Sequence, residues 1–280
     1  MPQDKRCRRG SAAAGGGMLV LWVTMRANAW LQAEWLPLLP ETTAAGIGLM
    51  LQLLMLGLPL AVILRLLRSP AAVLCPLKRG RNGSILLIPA GLAALVAANL
   101  LTMLLQRFAD TVPPDPAPLP ENTAALLFTA VGATLLPAML EELLFRGAVL
   151  HALRPAGEKT AIWLSTLLFM GAHGSLAQWL PALAAGLLLG TVTFYTGTLR
   201  WAIFIHLCNN IIAWGTTYFP SPVTSVFLPI GLLVLGLLSL PALLQRPRYI
   251  PAGGEPRSGF TAPLMLAALL LLGNALFPAL

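Results

Sequence analysis

The sequence predicts an all-α fold, a polytopic transmembrane helical bundle of about eight to nine spans. Three observations lead there. Of the 280 residues, 57% are hydrophobic and only 10% are charged, whereas a soluble domain carries about 25% charged residues. The mean hydropathy is +0.79. The apolar residues fall in separate runs, most of them near the roughly 20 residues that cross a bilayer, divided by short polar or basic stretches.

The net charge of +8 does not point to nucleic acid. Its basic residues lie in short blocks between apolar runs, as cytoplasmic loops do. The expected partners are membrane lipids and a membrane-anchored protein or peptide, with no nucleic acid. Cys7, Cys75 and Cys208 have no CxxC spacing and imply neither a disulfide framework nor a zinc knuckle.

Taken in order, residues 1–17 are basic and then Gly/Ala-rich and read as a disordered cytoplasmic tail. A signal peptide is the competing reading, since Met18 to Met25 precedes Ala27-Asn28-Ala29. Residues 18–121 then read as N-terminal transmembrane helices with apolar segments at 18–38, 43–64 and 84–106. The first is the weakest, because it contains Arg26 and Glu34. Residues 122–217 form the central unit, with segments at 122–150, 161–174 (a short one), 178–196 and 199–217; Gly197 breaks the chain before the last. Residues 218–280 hold two more, at 223–244 and 261–279.

Charge placement fits these spans. With the N-terminus inside, the inner loops hold Arg65, Arg68, Lys78, Arg79 and Arg81, then Arg154 and Lys159, then Arg200, then Arg246, Arg248 and Arg257. The outer loops hold Glu41, Asp110, Asp115 and Glu121, with Arg107 as the exception. Pro113, Pro114, Pro116, Pro118 and Pro120 predict a stiff, extended outer loop. A bacterial inner membrane is the expected location.

Inside the spans, ionisable and polar residues recur at helical spacing. Glu142 and Arg146 are i,i+4 and can pair on one face. Glu141 points about 100° away from Glu142. Phe169 and His173 are i,i+4, and so are His206 and Asn210. Counted at about 1.5 Å per residue from the inner end of each span, Glu141 lies roughly 14 Å in, His206 about 10 Å, Asn210 about 16 Å and His173 about 18 Å. Charged groups at such depth cost roughly 2.5–3.5 kcal/mol each on insertion scales, so they need partners inside the protein.

This set suits peptide hydrolysis by activated water. A buried carboxylate can take a proton from water, and an imidazole can orient that water. His and Asn donors can hold the oxyanion, one such donor being worth about 2.7–4 kcal/mol.

Glu141-Glu142-x-x-x-Arg146, Phe169-x-x-x-His173 and His206-x-x-x-Asn210, in that order on successive helices, resemble the three motifs of the CPBP family of CAAX prenyl proteases and bacteriocin-processing enzymes. The resemblance covers about residues 122–217. It implies a glutamic-type intramembrane endopeptidase in which Glu141 activates water, assisted by His173. His206 and Asn210 would then form the oxyanion hole, Glu142 and Arg146 would be supporting, and Phe169 would pack beside the site. No cofactor is required on this reading. Zinc held by Glu141, His173 and His206 is the alternative, although no HExxH is present. Two other classes stay open: a non-catalytic scaffold or immunity protein of the same fold, and a proton-coupled carrier, although no internal repeat is visible. In the enzyme, a polar chamber is expected among the four central spans, with Gly186, Gly190, Ala184 and Ala185 allowing close helix approach.

Overall fold

The computed structural model describes residues 3–68, 85–108, 118–244 and 261–276, and among these all regular structure is helical. Helix α1 (Gln3–Glu34) is followed by a short 3-10 turn, then by α2 (Glu41–Leu67) and α3 (Leu87–Phe108). Helix α4 (Thr123–Ala133) leads into α5, built of three parts: Leu135–Glu141, Glu142–Val149 and Leu150–Leu153. Then come α6 (Glu158–Ala172), α7 (Leu176–Thr196), α8 (Arg200–Tyr218), α9 (Leu228–Leu244) and α10 (Ala262–Leu276).

Many large apolar side chains remain exposed, among them Leu38, Met103, Phe227, Leu238 and Leu269. In water such coverage would be an aggregation hazard; in a bilayer it is the lipid-facing surface. The chain is a multi-pass membrane protein. By length and composition, five segments can cross: 41–67, 87–107, 123–156, 176–196 and 223–242. The expected count of eight to nine spans therefore finds five that qualify unaided. Helix α6, at 15 residues, is about 22 Å long, short of the roughly 30 Å hydrocarbon core. The expected fifth span is thus a mostly buried helix about three-quarters of that length.

The N-terminal expectation needs correcting. Residues 3–17 are not a disordered tail but the first half of α1, with Cys7, Ser11, Ala13 and Ala14 buried. Small residues make this possible. A Cβ at Gly10 would collide with the Ala152 carbonyl of α5, and one at Gly15 with the Leu264 backbone of α10. Backbones at that distance exclude any larger side chain, which is the small-residue packing of membrane helices. Ser11 Oγ also accepts the Thr261 N–H at 3.0 Å, tying α1 to the start of α10. Further along α1, Arg26 donates from Nη1 to Asn274 Oδ1 at 3.1 Å, so the charge that weakened this segment has a partner in α10.

The main core joins α1, α2, α5, α6, α7 and α10 through Met18, Ile63, Phe145, Phe169, Ala182 and Leu271. A second core joins α3, α7 and α8 through Leu92, Leu95, Leu189, Val192, Ala202 and Ile205. Gly197 ends α7 in the left-handed region, at φ 71°, as its expected break requires. Gly186 on α7 meets α6: a Cβ there would lie 2.6 Å from Thr166 Cγ2. The charge placements at 78–81, 110, 115 and 246–257, Cys75, and the prolines at 113–116 lie outside the described residues.

Candidate active site

The site is built on α5. The chain breaks at Thr134 (φ −119°, ψ −71°) between α4 and α5. Pro137 lies just beyond; it has no N–H for the Ala133 carbonyl and its ring crowds that turn. The Thr134 carbonyl is left with a long bond from Ala138 N, at 3.4 Å. Asn210 Nδ2 of α8 also donates to it at 3.4 Å, which ties α8 to the kink.

Past Glu141 the helix widens. Glu142–Val149 is a π-helix, in which the Leu150 N–H reaches back five residues to the Phe145 carbonyl. Such segments are rare and occur most often at functional sites. Ser165 of α6 supports this one, donating from Oγ to the same Phe145 carbonyl at 2.9 Å.

Glu142 and Arg146 sit inside the π-helix, and both are fully buried. Arg146 Nη1 donates to Glu142 Oε1 at 2.8 Å. The same oxygen is 2.9 Å from His206 Nδ1 of α8. A carboxylate beside a guanidinium accepts here, so Nδ1 carries a proton. Arg146 Nη2 reaches the Ala185 carbonyl of α7 at 3.4 Å. One ion pair thus joins three helices. It is more than the helix-orienting pair that i,i+4 spacing suggests.

Phe169 is the hub of the aromatic layer. The Arg146 guanidinium carbon lies 4.2 Å from its ring centroid, a desolvated cation–π contact worth about 2 kcal/mol. Phe145, His173 and His206 meet the Phe169 ring edge-on, at 5.1, 4.6 and 6.2 Å between centroids. The sequence suggests only that Phe169 packs nearby; the structure puts it in contact with the guanidinium and both imidazoles.

His173 lies at the end of α6, where Gly174 turns left-handed at φ 62°. His173 Nδ1 is 2.8 Å from the Phe169 carbonyl. A carbonyl only accepts, so Nδ1 is protonated and the neutral ring keeps Nε2 as its acceptor. Because α6 is short, its end falls at the level of His206, across the same phenyl ring.

Glu141 takes the other side of His206. Its Oε2 is 3.9 Å from His206 Nε2, and its side chain is 20% exposed where that of Glu142 is 0%. The imidazole is therefore bracketed: Glu142 holds one nitrogen and Glu141 faces the other. Adjacent residues pointing about 100° apart meet a common partner because that partner has two ends. Among the described residues, no group of three or more His, Cys, Asp or Glu side chains has the geometry to hold a metal ion.

The fold and this centre define a class, a helical membrane protein with a buried acid–imidazole–guanidinium cluster on its four central helices. Residues 123–212 of the 280 match the family model described as type II CAAX prenyl endopeptidase Rce1-like. All seven motif residues fall inside the match, and the family is the one their spacing resembles. It is a protease family, and the match supports a CAAX-type intramembrane protease. No match is found among curated proteins or among solved structures.

Proposed function

We propose that the chain is an intramembrane endopeptidase that hydrolyses a peptide bond of a membrane-associated protein or peptide, with water activated by Glu141. The bracketed His206 supports this reading best. Oε2 of Glu141 and Nε2 of His206 are too far apart for a mutual hydrogen bond. A single oxygen can lie within about 3 Å of both. That is where a water would be held.

Glu141 takes one proton from this water, and the oxygen attacks the carbonyl carbon of the scissile bond. His173 Nε2 serves as a second acceptor that orients the water. The carbonyl oxygen becomes the oxyanion. Asn210 donates one amide hydrogen to Thr134 and has a second for the oxyanion. His206 donates from Nε2 when it carries both ring protons, and the two flanking glutamates supply the matching negative charge. Glu141 then returns its proton to the leaving amine as the C–N bond breaks. Glu142 and Arg146 hold His206 in place. No step uses a metal. We further place the protein in a bacterial inner membrane with its N-terminus inside, and propose a prenylated CAAX tail as the first substrate to try.

An internally quenched farnesylated CAAX peptide, offered to the protein in lipid nanodiscs, tests the reading. Cleavage products identified by mass spectrometry, unaffected by chelators, are expected. Stoichiometric zinc with loss of activity on chelation would overturn the metal-free mechanism. Ion flux in liposomes without cleavage would favour a carrier instead.

A further inference from the structure

A second feature of α8 is not used by this chemistry. A cavity of about 490 Å³ opens between α3, α7, α8 and the turn before α9, within the size range of ligand sites. Its walls mix leucine, valine and isoleucine with two carboxamides, Asn99 of α3 and Asn209 of α8. Both carboxamides are half-buried, and neither bonds to another described residue. A polar group without a partner in an apolar surround is costly.

Besides Thr224 and Ser225, three hydroxyls that share these walls have a definite polarity. Thr102 donates to Ala98 O at 2.9 Å, Thr216 to Ala213 O at 2.9 Å and Thr217 to Ala213 O at 2.8 Å. With its one proton used on its own helix, each oxygen offers the cavity lone pairs only. A ligand that fits must bring N–H donors for these oxygens, and both donors and acceptors for the carboxamides. Phospholipid esters and phosphates bring acceptors almost exclusively. An unwound peptide backbone brings both at every residue.

We propose that this cavity binds an extended stretch of the substrate's backbone, next to the bond to be cut. This rests on the endopeptidase reading above. A peptide bond can be hydrolysed only after its segment leaves the helix, and its freed N–H and C=O groups then need partners that lipid does not supply. From Asn209 to Thr217 the wall runs about 12 Å, which accommodates three or four extended residues at about 3.3–3.6 Å each. Asn209 is three residues from His206, about one turn along α8, so this stretch continues from the catalytic line.

The test separates binding from cleavage. In nanodiscs, the catalytically inactive Glu141→Gln protein is titrated with a labelled farnesylated CAAX peptide by fluorescence anisotropy. It is then titrated with an analogue in which successive backbone amides beside the scissile bond are replaced by esters. The expected result is about tenfold weaker binding when Asn99→Leu or Asn209→Leu is added. Ester replacement should weaken binding similarly in Glu141→Gln, and have little further effect once both carboxamides are gone. Unchanged affinity in the asparagine variants, an ester effect that survives their removal, or no saturable binding to Glu141→Gln would overturn the proposal. So would a phospholipid that co-purifies with the protein and is lost in the asparagine variants. Carboxamide-dependent binding without cleavage by the unsubstituted protein would leave the cavity assignment standing and defeat the endopeptidase reading.

Discussion

The flank made by α1, α2 and α10 and the centre made by α5, α6 and α8 are both closely packed, but by different means. In the flank, glycines bring backbones together: Gly15 meets Leu264 of α10, and Gly17 meets Ile63 and the Pro59 carbonyl of α2. The polar ties there join separate pairs, such as Ser11 with Thr261, Arg9 with the Leu66 carbonyl and Arg26 with Asn274. In the centre, a fully buried glutamate holds a guanidinium and an imidazole on one oxygen. The flank is specified by the absence of side chains and the centre by charge, so substitutions should fail differently in each.

The largest expected effect is in the centre. Arg146→Leu leaves the buried Glu142 carboxylate without its guanidinium, held by His206 Nδ1 alone, and should destabilise the protein by about 3–5 kcal/mol. The combined Glu142→Gln/Arg146→Leu variant should recover part of that loss in thermal unfolding in detergent. Next comes Asn210→Ala, for which kcat should fall by about 10²–10³ if the amide is an oxyanion donor. Its melting temperature should change little, because the Thr134 bond is long. In the flank, Gly10→Val should cost about 1–3 kcal/mol by overpacking. The folded fraction should keep its kcat, as measured by active-site titration. The smallest effect is Ser165→Ala, about 1 kcal/mol, the net worth of one hydrogen bond.

Much of the centre was legible in the sequence, because Glu141, Glu142, Arg146, His173 and His206 are expensive where they stand and spaced to face one another. Gly197 and Gly186 were legible for backbone and packing reasons. Phe169 was legible only as packing beside the site; its contacts with Arg146, His173 and His206 were not, since a phenylalanine in an apolar helix looks the same as core packing until its neighbours are known. The π-helix was not either: the wider turn depends on Ser165 and the Phe145 carbonyl, residues 20 positions apart. Residues 3–17 were misread because the glycines at 10 and 15–17 lower local helix propensity and the basic start carries no apolar run. Contacts with Ala152 and Leu264, far away in the chain, override that preference. The short α6 was partly visible, since its apolar run was the shortest, but its end at the level of His206 required the fold.

The central claim separates two adjacent carboxylates, Glu141 facing the reaction and Glu142 holding His206 from behind. Measuring kcat and melting temperature on the same preparations of Glu141→Gln and Glu142→Gln tests it most directly. Glu141→Gln should lose about 10²–10⁴ in kcat while melting as the unsubstituted protein does, whereas Glu142→Gln should melt measurably lower. A Glu141→Gln protein that keeps its activity, or two variants that lose activity and stability in the same proportion, would contradict the account.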